Sequence, residues 1–194
     1  MRDYAALPIN HVRRSDRGMA DESWLRAFLH QAPFAALATQ HDGQPFVNSN
    51  LFVYDEANHA IYMHTARVGR TRANVETYER VCLSISEMGR LLPANVALEF
   101  SVEYKGVTVF GTATIITSEG EQKYALQLLL DKYFPHLQPG EDYRPSTAEE
   151  LRRTSVYRID IEQWSGKQKK VEADFPGAFL YGEIQARNGS LSDI

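Results

Sequence analysis

The stretch from Phe100 to Thr117 limits the fold more than any other part of the chain, because it is long and β-rich and carries glycines at 106 and 111 in its interior. Interior strand glycines mark a bulge or the close approach of a ligand, so this stretch is expected to bend around a barrel. Shorter β segments flank it. Phe34 to Thr39 reads as a buried strand, Asp42-Gly43 supplies a hairpin turn, and Pro45 to Tyr54 returns as a second strand. Asp55 to Asn58 turns into a strand over Ala60 to Thr65. Val81 to Ser86 alternates again, and Ser155 to Ile161 reads as the closing strand.

Helical patterns are few. Trp24, Leu25, Phe28 and Leu29 recur at helical spacing between Asp21, a cap candidate, and Pro33, which stops the helix. After Gly69 the alternation disappears, and Arg70 to Tyr78 reads as a short helix, which places a strand-to-helix junction near Gly69. Ser118, followed three residues later by Glu121, is expected to cap a helix to Phe134 that carries Tyr124, Ala125, Leu128, Leu129 and Tyr133. Pro135 to Pro145 is a loop and Thr147 to Arg153 a short helix. The pattern predicts a mainly β fold, a β-barrel with peripheral helices, over a parallel α/β sheet.

At 194 residues and 22.0 kDa the chain suits one domain with terminal extensions. These fall at residues 1–20, 21–167 and 168–194, and the chain from Gly182 onward reads as poorly ordered. No apolar run is long enough to span a bilayer. A start without an apolar signal stretch and a single cysteine, Cys82, fit a cytoplasmic protein. A net charge of -4 argues against a nucleic-acid binder that relies on overall positive potential, while a small anion needs only one local cationic pocket. Cys82 lies among apolar strand neighbours and is expected to be a packing residue. The histidines at 11, 30, 41, 59 and 136 have no metal-ligand spacing, so no metal site is expected, and Arg13, Arg14 and Arg17 read as a solvated cluster.

The chemically informative stretch runs from Ile61 to Arg72, IYMHTARVGRTR. A strand ends in small polar residues, then a glycine, then cations that open a helix. Free backbone N–H groups at such a helix start favour an anion, and an Arg fork bonds phosphate oxygens in pairs. A plain turn with solvated arginines is the alternative reading of the same residues.

The chain resembles the pyridoxamine 5'-phosphate oxidase-like FMN-binding split barrels, in particular the branch of the nitroimidazole-resistance proteins. The likeness spans roughly Arg13 to Lys167. It rests on the arginines before the first helix, on Pro45-Phe46-Val47-Asn48, on Ile61 to Ala66 with Gly69, on Tyr104 to Gly111, and on Trp164-Ser165-Gly166-Lys167. The resemblance implies a six-stranded split barrel, dimeric, with FMN in grooves between the subunits. By that likeness Val47, Asn48, Ser49 and Asn50 run alongside the isoalloxazine ring. His64, Thr65, Ala66, Gly69, Arg70 and Thr71 sit near the ribityl phosphate or the ring edge. Tyr104, Lys105, Gly106 and Val107 line the same cleft from one subunit or the other, with Trp164 and Lys167 nearby. Two departures stand out: Thr71 occupies a position where many relatives carry lysine, and Gly106 stands where the resistance proteins often have serine.

The resemblance implies an FMN-dependent oxidoreductase acting on a small organic molecule, with His64 as a proton donor or substrate contact. A flavin-binding carrier without turnover, and a haem or deazaflavin binder on the same barrel, are the alternatives.

Overall fold

In the computed structural model, which describes residues 3–183, the chain forms eight strands and four α-helices. In order these are β1 (Gly18–Met19), α1 (Glu22–Gln31), β2 (Ala35–His41), β3 (Gln44–Asn50), β4 (Phe52–Asp55), β5 (Ala60–Ala66), α2 (Arg70–Thr77), β6 (Arg80–Leu92), β7 (Ser101–Ile115), α3 (Glu119–Tyr133), α4 (Ala148–Arg152) and β8 (Thr154–Lys169). Every pairing is antiparallel, in the order β3-β2-β6-β7-β8-β5-β4, with β1 added against β8.

The two ends of that path are neighbours in sequence. β3 and β4 are successive pieces of one run broken only at Leu51, so the sheet must curl until its edges meet. Pro45 to Tyr54 is therefore not one strand as expected. Its first half pairs with β2 and its second half with β5, and the chain leaves one edge for the other at Leu51. Counting that run as one broken strand, and setting aside the two-residue β1, gives the six strands of a split barrel. The Asp42-Gly43 turn is as expected, with φ of 48° and 78°, the left-handed pair that a tight hairpin requires.

Two strands extend well past their sequence signal. β6 continues to Leu92 and β8 to Lys169, because both line up along the 15-residue β7, whose ladder recruits flanking polar residues irrespective of their alternation. The interior glycines of β7 answer to its neighbours. A Cβ on Gly111 would lie 2.1 Å from the carbonyl oxygen of Asp160, at the bulge where Glu162 is the extra residue on β8. One on Gly106 would lie 3.0 Å from the carbonyl oxygen of Ile85. A side chain at this position has no room unless β6 shifts.

The barrel interior holds Leu37, Phe52, Ile61, Met63, Leu83, Val109, Tyr157 and Ile159, and α1 plugs one end with Leu25, Phe28 and Leu29. The first turn of α1 is capped by the Asp21 carboxylate, which accepts from the Ser23 amide at 2.9 Å. A smaller outer core packs α3, through Ala125 and Leu129, on Val53, Tyr62 and Val156. Ser118 stands at the N-cap of α3 but its hydroxyl makes no capping bond; the reciprocal capping pair is Thr147 with Glu150, ahead of α4. Gly182 and Glu183 close a short turn-like segment, and the rest of the expected disordered tail lies outside the described residues.

Candidate functional site

The break at Leu51 creates a fork. β4 accompanies β5 only as far as the Phe52–Met63 pair, after which β5 continues through His64 to Ala66 with β8 as its sole partner. β3 likewise pairs only with β2. Both lips of the fork thus present a row of backbone N–H and C=O groups without a ladder partner, and such groups need one.

Side chains of β3 alternate across this lip. Val47 and Ser49 are exposed, while Phe46, Asn48 and Asn50 are half-buried. The Asn48 amide donates to the Thr71 hydroxyl at 3.4 Å, and Thr71 is buried in the first turn of α2. Asn74, one turn on and 1% exposed, donates to the Thr39 hydroxyl at 2.9 Å. Two buried polar atoms here have no protein partner, Nδ2 of Asn50 and Oδ1 of Asn74. The orphaned donor of Asn50 stands at the end of β3, at the fork, whereas Asn74 lies four positions further along β2, beside Thr39.

On the opposite lip Thr65 turns inward, its hydroxyl 2.8 Å from that of the buried Tyr157, while His64 points to the other face. His64 keeps an open side to solvent, yet the crowding around its ring pulls the imidazole below the usual histidine range by desolvation, so it is neutral at neutral pH. Beyond Ala66 the chain rises to Gly69, whose backbone is extended and ahead of which lies open space: a Cβ there would meet nothing within 4 Å. α2 starts without a side-chain cap, so its first N–H groups are free toward that space. Arg70 is exposed and has no ion-pair partner among the described residues. Val47 to Asn50, His64 to Ala66 and Gly69 to Thr71 are therefore brought to one fork.

The remaining expected residues lie elsewhere. Tyr104, Lys105, Gly106 and Lys167 line a cleft of about 280 Å³ with Ser84, Ser86 and His11. Gly106 pairs with Lys167 on β8 whereas Thr65 pairs with Ser155, and the twelve steps from Ser155 to Lys167 are at most about 40 Å along the strand. Within one protomer the two groups lie at different ends of β8. Trp164 is not beside Lys167 either. Three positions apart on a strand means opposite faces, and the Trp164 indole packs toward the core, edge-on to His59 at 4.8 Å with the Arg26 guanidinium 5.4 Å from its ring. Cys82 is half-buried and burial raises its thiol pKa, as suits a packing residue. Arg14 and Arg17 share the Asp16 carboxylate at the surface. Asn74 was missed by sequence reasoning, although Thr71, Asn74 and Val75 stand at the i, i+3, i+4 spacing of one buried helix face.

A sequence profile of the pyridoxamine 5'-phosphate oxidase family matches residues 21–168. The chain belongs to that family. No match was found among curated proteins. Among solved structures, the flavocytochrome Anf3 from Azotobacter vinelandii aligns at a TM-score of 0.74 and 26% identity, covering 93% of this chain and 80% of that one. The FAD- and haem-binding protein from Mycobacterium smegmatis aligns at a TM-score of 0.72 and 22% identity, covering 90% and 81%. A candidate 5-nitroimidazole antibiotic resistance protein from Bacteroides thetaiotaomicron aligns at 0.64 and 18% identity, covering 78% and 86%. The latter two share the fold of this family member. No helix among the described residues is long and apolar enough to cross a membrane.

Proposed function

We propose that this member of the pyridoxamine 5'-phosphate oxidase family binds FMN at the fork and works, as a cytoplasmic homodimer, as an FMN-dependent oxidoreductase of small organic molecules. The observation that carries this reading is the fork itself, two unpaired strand edges with the orphaned Asn50 Nδ2 at the end of one and an uncapped helix start beside the free guanidinium of Arg70. An isoalloxazine edge carries alternating donors and acceptors, which strand-edge amides and carboxamides can meet. A phosphomonoester suits the free amides of α2 and the Arg70 fork. FMN, when bound, supplies the electron transfer. The chain's own part is to orient the ring through Asn48 and Asn50, to anchor the phosphate through α2, and to present the neutral His64 imidazole, which can take up a proton, on the neighbouring face. The flavin-binding relatives, above all the flavocytochrome at 26% identity, support a flavin here.

A second copy completes the site in this reading. The cleft of Tyr104, Lys105, Gly106 and Lys167 lies at the far end of β8 from its own fork, and exposed apolar side chains, Val47 at 60%, Met88 at 59% and Phe100 at 60%, supply surface for association. The absorption spectrum of the purified protein, followed by FMN titration and sedimentation, is the test. Flavin bands or saturable FMN uptake, with a mass about twice the 22.0 kDa chain, are expected. A colourless protein that takes up no FMN sinks the cofactor assignment, and a lone subunit with FMN bound sinks the shared site. Likeness to a flavocytochrome favours one second reading, haem beside the flavin, and a Soret band in the same spectrum reads it. Consumption of reduced nicotinamide or another donor separates an enzyme from a carrier.

A further inference from the structure

A second cleft opens beside the start of α2, with a lining that shares no residue with the fork. Arg67, Arg72 and Arg152 line it, with Thr117, Glu119 and Gln122 and an apolar floor of Ile115, Ile116, Ala148 and Leu151, in a volume of about 330 Å³. Its charges are unevenly satisfied. Arg72 is held in place, pairing with Glu76 at 2.8 Å and donating to the hydroxyl of Ser155, itself 1% exposed, at 3.0 Å. Glu119 is the one carboxylate in the lining; Lys123 pairs with it at 2.6 Å, and the charge of Arg152 also reaches it. Arg67 and Arg152 have no ion-pair partner among the described residues. Two guanidiniums without an ion pair beside a third that is held in place attract an anion to the cleft, and planar forks match phosphate oxygens in pairs.

From this arrangement we infer a second phosphate site, distinct from the fork, that takes an organic phosphate whose apolar or planar body lies on Ile115, Ile116 and Leu151. Arg67 and Arg152 grip the phosphate, and Arg72, fixed by Ser155 and Glu76, sets its position. Phosphate of this kind has two possible sources, a free nucleotide or the second phosphate of a dinucleotide that continues past α2 from the fork. Glu150 and Arg144 pair with each other outside the cleft and do not compete for the anion.

Titration calorimetry with ADP and with inorganic phosphate, on the protein as purified and after FMN loading, reads the free-nucleotide arm; FAD against FMN affinity reads the dinucleotide arm. Arg152→Gln and Arg67→Gln are surface changes that leave folding intact by circular dichroism. Saturable ADP binding that weakens at least tenfold in the double variant supports a free nucleotide. FAD binding at least tenfold tighter than FMN, with that advantage erased in the double variant and FMN affinity kept in Arg152→Gln, supports the dinucleotide. No ADP or phosphate binding together with equal FAD and FMN affinity overturns the inference while leaving the fork reading intact. Failure of every flavin to bind overturns the fork reading, and the ADP arm still decides the cleft on its own.

Discussion

The seam where β6, β7 and β8 run together and the fork between β3 and β5 are built from the same kind of strand, yet they handle backbone bonding in opposite ways. At the seam the ladders run the length of β7, from Ser101 to Ile115, and the only irregularities are the bulges near Gly89 and at Gly111. At the fork the ladders stop at Phe52–Met63 and Ala35–Asn50, leaving edges, orphaned amides and a bare helix start. Satisfied ladders and close packing stabilise the seam, whereas unsatisfied groups make the fork costly without a ligand and therefore suited to one.

The contrast breaks most violently at Gly111. A side chain there meets the Asp160 backbone at 2.1 Å, and backbone on both strands must move to admit it. Gly111→Val is expected to lose about 3 kcal/mol or more, or to yield no folded protein, by chemical denaturation. A variant as stable as wild type would mean that the seam is looser than the ladder implies. At the fork, Arg70→Ala is expected to do the reverse. It removes an exposed cation with no protein partner, so the denaturation midpoint of the flavin-free protein stays put while FMN affinity falls roughly tenfold to a hundredfold, the worth of about 1.5–3 kcal/mol in a charge-assisted bond. Unchanged FMN affinity would move the phosphate grip elsewhere.

Much of the seam was legible in the sequence and much of the fork was not, for a physical reason. The apolar runs in Phe34 to Thr39 and Ala60 to Thr65, the Asp42-Gly43 turn and the helical spacing of Leu25, Phe28 and Leu29 report local preferences that the fold keeps. The exchange of partner at Leu51 leaves no local trace, because both halves of Pro45 to Tyr54 remain extended and only their neighbours differ. Trp164 and Lys167 come from one short stretch expected near one cleft, but strand alternation sends the two side chains to opposite faces of β8. Asn74 carried a helix-face signal, yet burial of its amide comes from the approach of Thr39 on β2, a tertiary fact.

Asn50→Leu sharpens the comparison at a smaller scale. An unpaired buried donor costs about 1–3 kcal/mol, so an apolar side chain of similar size is expected to stabilise the flavin-free protein by about 1 kcal/mol while weakening FMN binding. Stability and affinity moving in opposite directions is the signature of a group kept for a ligand. A flavin-free variant less stable than wild type would show that Asn50 Nδ2 has a partner of its own, and the fork would then be as satisfied as the seam.

The smallest expected effect lies at the root of the fork, where α3 ends. Lys132 holds its ammonium 3.9 Å from the centre of the Phe52 ring and donates to the Leu29 carbonyl at 3.3 Å, while Tyr133 beside it ties its hydroxyl to the Phe52 amide at 3.1 Å. Burial lowers the Lys132 pKa to about 8, from an ordinary value of 10.5 that it regains on unfolding. Below pH 8 the group is charged in both states and the folded protein bears the desolvation cost. As pH rises toward 10.5 the folded form sheds its proton first, so this contribution to stability grows with pH across that window. Between pH 7.5 and 8.5 the gain is on the order of half a kcal/mol. Lys132→Met is expected to remove that slope from the pH dependence of the denaturation midpoint, and an equal slope in both proteins would mean that the ammonium at the fork's root is solvated after all.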